Sequence, residues 1–509
     1  MILRFITLLA LSLFAVTPSL IAVEQQSNKV KVVLWFDTED YLSPRDDDAT
    51  KRLCEMLTQR SIRATFKLVG EKARVLEQRG RTDVITALKK HDIGYHANFH
   101  SVHPTPTEYL ADCGWEDGIQ EFVRREGGGA ADVRRILGVP TLACYGQPGS
   151  SWAPQTIAAL KQIGVAPAGI PCYLDDGSHV GIEDRPFWYC GALNAYHLGR
   201  NVTRMDLHDP AALAPAKKKV ADIAERLRGE GGGLISIYYH PCEWIHQQFW
   251  DGVNFARGNN PPREEWRVPP QRSSAETDAA FQRFGEYIDS IRDLNVRWIT
   301  ASELPMIYPD PLRTDGATKE DLDELARRIV RNKDNGLNYE IVNGTAFSIA
   351  DQFELLVAAV EPKVRGKQPD FPVRIKGIAG PDAPPPSSSL ANTSWAAFRD
   401  TLHDVSQFVQ VNQGIPARVF LGADSIQAAD FLVAMAGVWL STDPSLKEQT
   451  ISLGNHVKIL PERYVAADTP GLFGGWIIHK EGFRAPKVME LARLQAWTLK
   501  PAREKAPVK

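Results

Sequence analysis

Short apolar runs alternate with amphipathic stretches over the first 300 residues of the chain. The run 30–36 is rich in β-branched residues and predicts a buried strand that ends in the polar residues 37–40. Further strands are predicted at 64–70, 141–145, 233–239 and 296–300. Helices are predicted at 48–59, 79–90, 155–163, 215–228 and 276–294. This alternation predicts an α/β domain with a largely parallel sheet, open or closed.

Charged and imidazole side chains follow two of the predicted strands. Asp37, Glu39 and Asp40 close the first strand, and His240 follows the strand at 233–239. In α/β folds, chemistry gathers at the carboxyl ends of the strands. We therefore expect these four side chains to lie at one edge of the sheet.

Histidines are concentrated in one region of the chain. The stretch 91–104 holds four of the twelve histidines, and nine of the twelve lie between His91 and His246. His96 and His100 are four residues apart, a spacing that predicts both rings on one side of a helical turn. Two imidazoles and one carboxylate would hold a divalent metal such as zinc and leave positions open for water and substrate. The alternative is a surface loop that is merely rich in histidine.

The chain changes character after residue 304. The stretch 305–318 carries three prolines and predicts a domain boundary, and a capped helix follows at 318–331. A second break at 379–393 is rich in proline and serine and predicts a linker or a long loop. Gly344 precedes Phe353 by nine residues, as Gly422 precedes Phe431. This spacing indicates either a weak internal repeat or two ordinary amphipathic helices.

The amino terminus has the features of an export signal. One arginine, an apolar run from 5 to 16 and small residues near 22 precede a polar segment, which predicts a signal peptide over 1–23. The alternative is an uncleaved membrane anchor. Export would permit disulfides among the six cysteines, although their pairing is left open. No C-x-x-C pair is present, so a cysteine-based zinc site is not expected.

Length and composition narrow the classes of function. A chain of 509 residues predicts about three domains, and 43% hydrophobic with 24% charged residues is typical of a folded soluble protein. The formal net charge of -3 provides no electrostatic basis for binding nucleic acid or an anionic membrane.

Several of these segments together resemble the polysaccharide deacetylase (NodB-homology, carbohydrate esterase family 4) domain. The first motif is resembled by the acidic residues 37–40, and the next strand contains Ala-Thr-Phe at 64–66. The metal-binding motif is matched by Gly94-Tyr95-His96-Ala97-Asn98-Phe99-His100, and the last motif by His240-Pro241. The similarity covers about residues 30–305. It implies a distorted (β/α) barrel over 28–308 and a smaller mixed or mainly helical domain over 315–509.

The resemblance also implies roles for individual residues. Asp37 would be the general base and His240 the general acid. Glu39 would be the carboxylate ligand with His96 and His100, and Asp40 is the alternative carboxylate ligand. The divalent metal would most readily be Zn²⁺.

The sequence departs from the family at one position that matters for catalysis. The family arginine that orients the catalytic aspartate is replaced by Gly146. Arg185 or another distant basic residue is a possible substitute. In the tail, residues 411–420 with the following helix faintly resemble a pseudomurein-binding repeat, which implies cell-wall association.

These features together predict an exported, metal-dependent hydrolase that removes N-acetyl groups from a glycan or from peptidoglycan. Two alternatives remain. The same site could act on a non-sugar amide, or the protein could be a catalytically silent carbohydrate- or wall-binding protein. The polymer, the oligomeric state and the role of the C-terminal region are left open.

Overall fold

The computed structural model describes residues 30–442 and 450–504. The signal peptide predicted over 1–23 lies outside the described residues. None of the helices in the described ranges combines the length and the apolarity that crossing a membrane requires.

The described strands, labelled in chain order, are β1 Val30–Thr38, β2 Thr65–Leu68, β3 Asp92–Tyr95, β4 Cys172–Leu174, β5 Phe187–Tyr189, β6 Ala192–Ala195, β7 Val202–Thr203, β8 Gly233–Tyr239, β9 Arg297–Ile299, β10 Glu340–Val342, β11 Thr345–Phe347, β12 Asn392–Ser394, β13 Val419–Leu421, β14 Asp424–Ile426, β15 Thr450–Ser452 and β16 Lys500–Pro501. The described α-helices are Pro44–Gln59, Gly70–Gln78, Thr82–Leu88, Pro106–Leu110, Trp115–Leu137, Pro154–Ala159, Leu213–Gly229, Trp250–Phe255, Ser274–Arg292, Leu304–Ile307, Pro311–Thr314, Lys319–Asn332, Ile349–Val364, Trp395–Asn412, Ala428–Leu440, Pro470–Gly474 and Pro486–Leu494.

The central sheet is parallel and has β1 in its middle. The strand order is β3-β2-β1-β8-β7, and β9 also pairs with β1. Every residue of β1 is buried, which explains why its sequence is a nearly continuous apolar run. The prediction of a mixed α/β fold with a parallel sheet is confirmed.

A second group of strands, in the order β16-β5-β6-β4, continues from β3 through single bridges at Tyr145. The segment 141–145, predicted as a strand, makes only such isolated bridges. Among the described residues, no ladder joins β7 to the far edge of this second group, so a closed barrel is not confirmed.

The longest described helix, Trp115–Leu137, was not predicted because three consecutive glycines interrupt its helical pattern. One of them has a packing role. A Cβ on Gly129 would lie 2.6 Å from both the Tyr95 hydroxyl and the Asn98 side-chain oxygen. The helix therefore passes close to the end of β3 and supports the histidine-containing turn that follows it.

The region after residue 315 does not form one separate unit. A second hydrophobic core extends from Leu312 to Val457, with Trp497 added. Residues between Val465 and Leu499 instead pack into the first core, and β16 pairs with β5. Residues 465–501 of the predicted C-terminal domain over 315–509 are therefore built into the α/β domain, because their apolar side chains are buried in its core and β16 extends its second group of strands.

Within the second core, the order helix, hairpin, helix occurs twice. The hairpins are β10–β11 and β13–β14, with turn partners Val342–Thr345 and Leu421–Asp424. This register aligns the buried Asp351 with the buried Asp430 and offsets the phenylalanines by one residue. The structure thus contains a repeated supersecondary unit. Aligning its two copies by their hairpins makes residue 351 equivalent to residue 430, whereas aligning them by the glycine and phenylalanine pairs would shift the match by one residue.

All six cysteines lie in the described ranges, and each carries a free thiol. The disulfides that export would permit are absent from this part of the chain.

The glycines of the long helix provide a stability test. Gly129→Ala should lower the melting temperature, because overpacking against Tyr95 and Asn98 costs about 1–3 kcal/mol. Gly128→Ala is the matched control, since a Cβ there meets nothing within 4 Å. It should raise the melting temperature, because alanine is favoured over glycine by about 0.5–1 kcal/mol in a helix. Thermal unfolding followed by circular dichroism distinguishes the two. Equal shifts for both variants would contradict the packing role of Gly129.

Candidate active site

The site is built on a row of residues that runs across three neighbouring strands. Asp37 of β1 is in register with Lys67 of β2, and Lys67 is in register with Gly94 of β3. Because residues in register on parallel strands point to the same face, Asp37 and Lys67 lie side by side. Glu39 follows one residue after the end of β1.

Three buried residues lie together at the carboxyl edge of the sheet: Glu39, His96 and His100. They form the candidate metal-binding group. Glu39 Oε2 lies 3.5 Å from His96 Nε2 and 3.0 Å from His100 Nε2. One ligand atom from each of the three residues lies within 4.8 Å of the others, a spacing that could hold a metal ion. Glu39 is the carboxylate that lies beside the two imidazoles, and its role as a metal ligand stays a prediction.

In both histidines Nδ1 makes a hydrogen bond, so Nε2 is the nitrogen that remains to bind a metal. His96 Nδ1 lies 3.0 Å from the Gly146 carbonyl oxygen, which can only accept, so Nδ1 carries the hydrogen. His100 Nδ1 lies 2.6 Å from the Ser101 hydroxyl, which donates to Asp251. Both Nε2 atoms therefore present lone pairs toward Glu39. His100 Nε2 is buried and makes no hydrogen bond among the described residues, as expected for a metal ligand.

The protonation of this group follows from its charges. Burial tends to raise the pKa of Glu39, but the charge interaction with His100 and the close contacts with the His100 and His96 rings outweigh burial and hold that pKa well below its usual value. Burial lowers the pKa of His96 and favours its neutral form. For His100, burial is outweighed by the charge of Glu39, which raises its pKa. An ionised carboxylate beside imidazoles is the donor set that a borderline divalent cation prefers.

The two histidines are brought together by an irregular turn and not by a helix. The strand ends at Tyr95, and residues 96–100 have no helical assignment. Ala97 has φ 109° and His100 has φ 59°, so the chain reverses through left-handed conformations. The ring centroids of His96 and His100 are 4.9 Å apart. The expected proximity is present, but the predicted helical turn is not.

Asp40 does not join the metal-binding group. Its carboxylate accepts a hydrogen bond of 2.7 Å from His246 Nε2 and one from the backbone N–H of Leu42. Lys72 also donates to the Asp40 carbonyl oxygen. The alternative assignment of Asp40 as the carboxylate ligand is therefore corrected: its side chain turns away from His96 and His100 into a structural network.

Lys67 is a functional residue that the sequence reasoning missed. Its ammonium group is fully buried and lies 2.9 Å from Asp37 and 2.7 Å from Asp175. It also donates to the Leu174 carbonyl oxygen and lies 4.0 Å from the Trp35 ring centroid. Burial alone would lower the pKa of Lys67, but the two carboxylates raise it above its ordinary value, so Lys67 is charged. It fixes Asp37 in its position.

Two glycines leave the space that Lys67 occupies. A Cβ on Gly146 would lie 1.9 Å from Lys67 Nζ, and one on Gly94 would lie 2.9 Å from Lys67 Cγ. The basic residue expected near Asp37 is thus Lys67 of β2. Position 146 must be a glycine, because any larger side chain there would clash with the lysine. Arg185, the suggested substitute, is at the surface beside Glu183. Because Lys67 already lies between Asp37 and Asp175, these two carboxylates do not form a second metal site.

His240 faces Asp37 from the end of β8. Its Nε2 lies 3.7 Å from Asp37 Oδ2, and its Nδ1 lies 2.7 Å from Glu243 Oε1. Glu243 is in turn paired with Arg204. Burial lowers the pKa of His240, but the hydrogen bond to Glu243 and the nearby carboxylates outweigh it and raise that pKa to about 9. His240 is therefore protonated at neutral pH.

The metal-binding group opens into a cleft of about 730 Å³. Asp37, Glu39, His96, His100 and His240 all line it. A cleft of this volume is in the range of small-molecule binding sites. The carboxylates, the histidines and the cleft together can hold a metal, remove a proton and deliver a proton at one place.

Other residues singled out in the sequence lie elsewhere. His103 pairs with Glu108 at 2.7 Å and is not among the residues that line the cleft. Trp152, Trp188 and Trp244 are buried in the hydrophobic cores and therefore offer no free surface on which a sugar ring could stack.

Comparison with known proteins gives structural likenesses only. No family model and no curated protein matches the sequence. A candidate polysaccharide deacetylase from Mycobacterium smegmatis is 14% identical and has a TM-score of 0.34, covering 55% of this chain and 90% of that one. A family 4 carbohydrate esterase from Streptomyces lividans is 14% identical, with a TM-score of 0.28, covering 53% and 92%.

A family 4 acetyl xylan esterase from Clostridium thermocellum, in complex with cobalt, is 12% identical. Its TM-score is 0.28, and the match covers 54% of this chain and 90% of that one. Likenesses at this level do not establish a family.

Substitution of each candidate carboxylate tests which one binds metal. Glu39→Gln should lower zinc affinity at least about tenfold, because it removes the anionic ligand between the two imidazoles. Asp40→Asn should retain zinc, because Asp40 bonds to His246 and not to the ligand group. The measurement is metal content after dialysis against a weak chelator, with circular dichroism to verify folding. Loss of zinc from Asp40→Asn with retention in Glu39→Gln would reverse the assignment.

Proposed function

We propose that this protein is a metal-dependent hydrolase that removes N-acetyl groups from a glycan. The observation that carries the proposal is the arrangement of Glu39, His96 and His100 in one cleft with Asp37 and His240. A structural metal site needs only ligands. Here an ionisable carboxylate and a protonated imidazole lie immediately beside the ligand group, as hydrolysis of an amide requires.

A divalent metal held by the three ligands would supply Lewis acidity, which promotes deprotonation of water and polarises a carbonyl group. Asp37 would accept the proton of the attacking water, since it lies beside His96 and is held in place by Lys67. His240 would donate a proton to the departing amine nitrogen, since its Nε2 faces the same space. Base and acid thus act on the substrate from neighbouring positions.

The neighbours of His240 favour its role as the acid. Its Nδ1 is hydrogen-bonded to Glu243, which leaves Nε2–H directed toward Asp37 and the cleft. Glu243 is itself fixed by Arg204 and by the backbone N–H of His240. A side chain with its orientation and protonation set in this way is suited to proton donation.

Glycan is the proposed substrate class because the motif pattern of the chain resembles that of polysaccharide deacetylases. We further propose zinc as the metal, from the two imidazole ligands and one carboxylate, and export to the cell envelope, from the predicted signal peptide. Association with the cell wall remains an expectation from the C-terminal region.

A second candidate is hydrolysis of a non-sugar amide at the same site. It is favoured by the apolar side chains of Phe249 and Ile477 in the cleft lining, which are 42% and 56% exposed. A silent carbohydrate-binding protein is disfavoured, since a binder needs neither the Asp37 base nor the His240 acid.

The proposal is tested by metal content together with acetate release from chitooligosaccharides and peptidoglycan. The wild type should bind one zinc per chain and release acetate from at least one of these polymers. His96→Ala should lose both zinc and activity, because it removes a ligand. Asp37→Asn should keep the zinc and lose activity at least about 100-fold, in line with loss of a general base.

The outcomes separate the candidates. Zinc without acetate release from either polymer would favour the non-sugar amide, and a chain that binds no zinc would overturn the mechanism. Asp37→Asn with wild-type activity would remove Asp37 from its assigned role.

The pH dependence of kcat/KM tests the acid. Proton donation by His240 is available below its raised pKa of about 9 and is lost as the pH rises through that value. Glu243→Gln should move the alkaline limb of the profile to lower pH by about one to two units, since it replaces a charged hydrogen-bond partner by a neutral one.

Glu108→Gln is the matched control for this experiment, because Glu108 makes an equivalent 2.7 Å contact with His103 outside the cleft. It should leave the limb unchanged. An alkaline limb that does not move in Glu243→Gln would show that another group, and not His240, sets it.

A further inference from the structure

A short segment near the C terminus forms one wall of the catalytic cleft. The lining contributed by this segment consists of Gly471, Leu472, Gly475, Trp476 and Ile477. The Trp476 ring lies edge-on to the His100 ring, with centroids 5.6 Å apart. Trp476 Nε1 donates a hydrogen bond of 3.2 Å to Asp251, the same carboxylate that accepts from Ser101 behind His100. A residue more than 370 positions away in sequence is therefore in contact with the metal-binding group.

The segment is held in place by hydrogen bonds along its length. The backbone N–H groups of Arg257 and Gly258 each donate at 2.7 Å to the carbonyl oxygens of Ile477 and Ile478. The Ser150 hydroxyl donates to the Phe473 carbonyl oxygen at 2.6 Å. These contacts come from two different loops of the α/β domain, so the wall is a fixed part of the cleft.

A glycine of the α/β domain, Gly149, leaves the space that the Trp476 ring occupies. Gly149 has φ 49°, and a Cβ at this position would lie 2.3 Å from the Trp476 ring. The glycine is thus required both by its backbone conformation and by the ring that lies against it. Phe249, which also lines the cleft, lies edge-on to His240 with ring centroids 5.0 Å apart.

The cleft therefore has apolar side chains beside its polar groups. Trp476 lies next to His100, Phe249 lies next to His240, and Ile477 also lines the cleft. Trp476 is half-buried, and its ring borders the cleft. An aromatic ring with a fixed orientation and little conformational entropy left to lose is well suited to bind the apolar C–H face of a ligand ring.

We propose that Trp476 is a specificity-determining residue, against which the sugar ring bearing the N-acetyl group packs. This inference rests on the proposed function and deepens it, since it makes the C-terminal segment part of the substrate site. The contact lies beside His100 of the metal-binding group. Trp476 carries no group that accepts or donates the proton in the proposed reaction, so its loss should affect substrate binding more than the chemical step.

The test is a KM-against-kcat measurement on the full-length, zinc-loaded protein with N-acetylchitotetraose. Trp476→Ala should raise KM at least about tenfold, with kcat within about threefold of wild type. Trp476→Phe, which keeps an aromatic ring but lacks the N–H that binds Asp251, should stay within about threefold of the wild-type KM. Zinc content should be equal in all variants.

Two controls isolate the sugar contact. Trp476→Ala should lower kcat/KM for 4-nitrophenyl acetate, which carries an acetyl group but no sugar, much less than it lowers kcat/KM for the glycan. Trp395→Ala removes another half-buried tryptophan, in the helix Trp395–Asn412 outside the cleft, and should leave KM for the glycan unchanged.

An unchanged KM in Trp476→Ala would overturn the inference while leaving the deacetylase proposal intact. Parallel loss of zinc and of ester hydrolysis would also overturn it, because Trp476 would then serve only to pack His100. A wild-type protein that cleaves the small ester but releases no acetate from any glycan would refute the proposed function, and the sugar contact with it.

Discussion

The buried ion pair between Lys67 and two carboxylates is the constraint on which the site depends. Lys67 links Asp37 on β1 to Asp175 beyond β4, so three parts of the sheet are fixed relative to one another. Removing one partner from such a group leaves an uncompensated buried charge, which typically costs about 3–5 kcal/mol. Asp37 and Lys67 can lie side by side on β1 and β2 only because Gly94 on β3 and Gly146 leave room for the lysine side chain.

The same edge of the sheet separates two kinds of polar network. Around Glu39, nitrogen lone pairs of His96 and His100 converge with no hydrogen bond to His100 Nε2, the arrangement of a binding site. One residue further along, Asp40 is bound by His246 and Lys72 in a closed structural network. Neighbouring acidic residues thus serve different purposes because the chain turns sharply after β1.

The C-terminal part of the chain serves both cores. Its repeated helix–hairpin–helix unit forms the second core, while residues from Val465 onward return to the first. This return places Trp476 beside His100 and buries residues such as Phe473, Val488 and Leu499 in the first core. The cleft is consequently formed by two distant parts of the sequence.

Apolar runs and clustered ligands are local patterns, and they suffice to predict the parallel α/β core, the strand ends and the candidate residues Asp37, Glu39, His96, His100 and His240. Only the folded chain shows that Glu39 and not Asp40 faces the histidines. It alone placed Lys67 and Trp476 in the site. A lysine within a buried strand and a glycine-rich aromatic segment were visible signals, but neither pattern specifies its partner. Partners distant in sequence are set by strand register and by packing, which no local pattern contains.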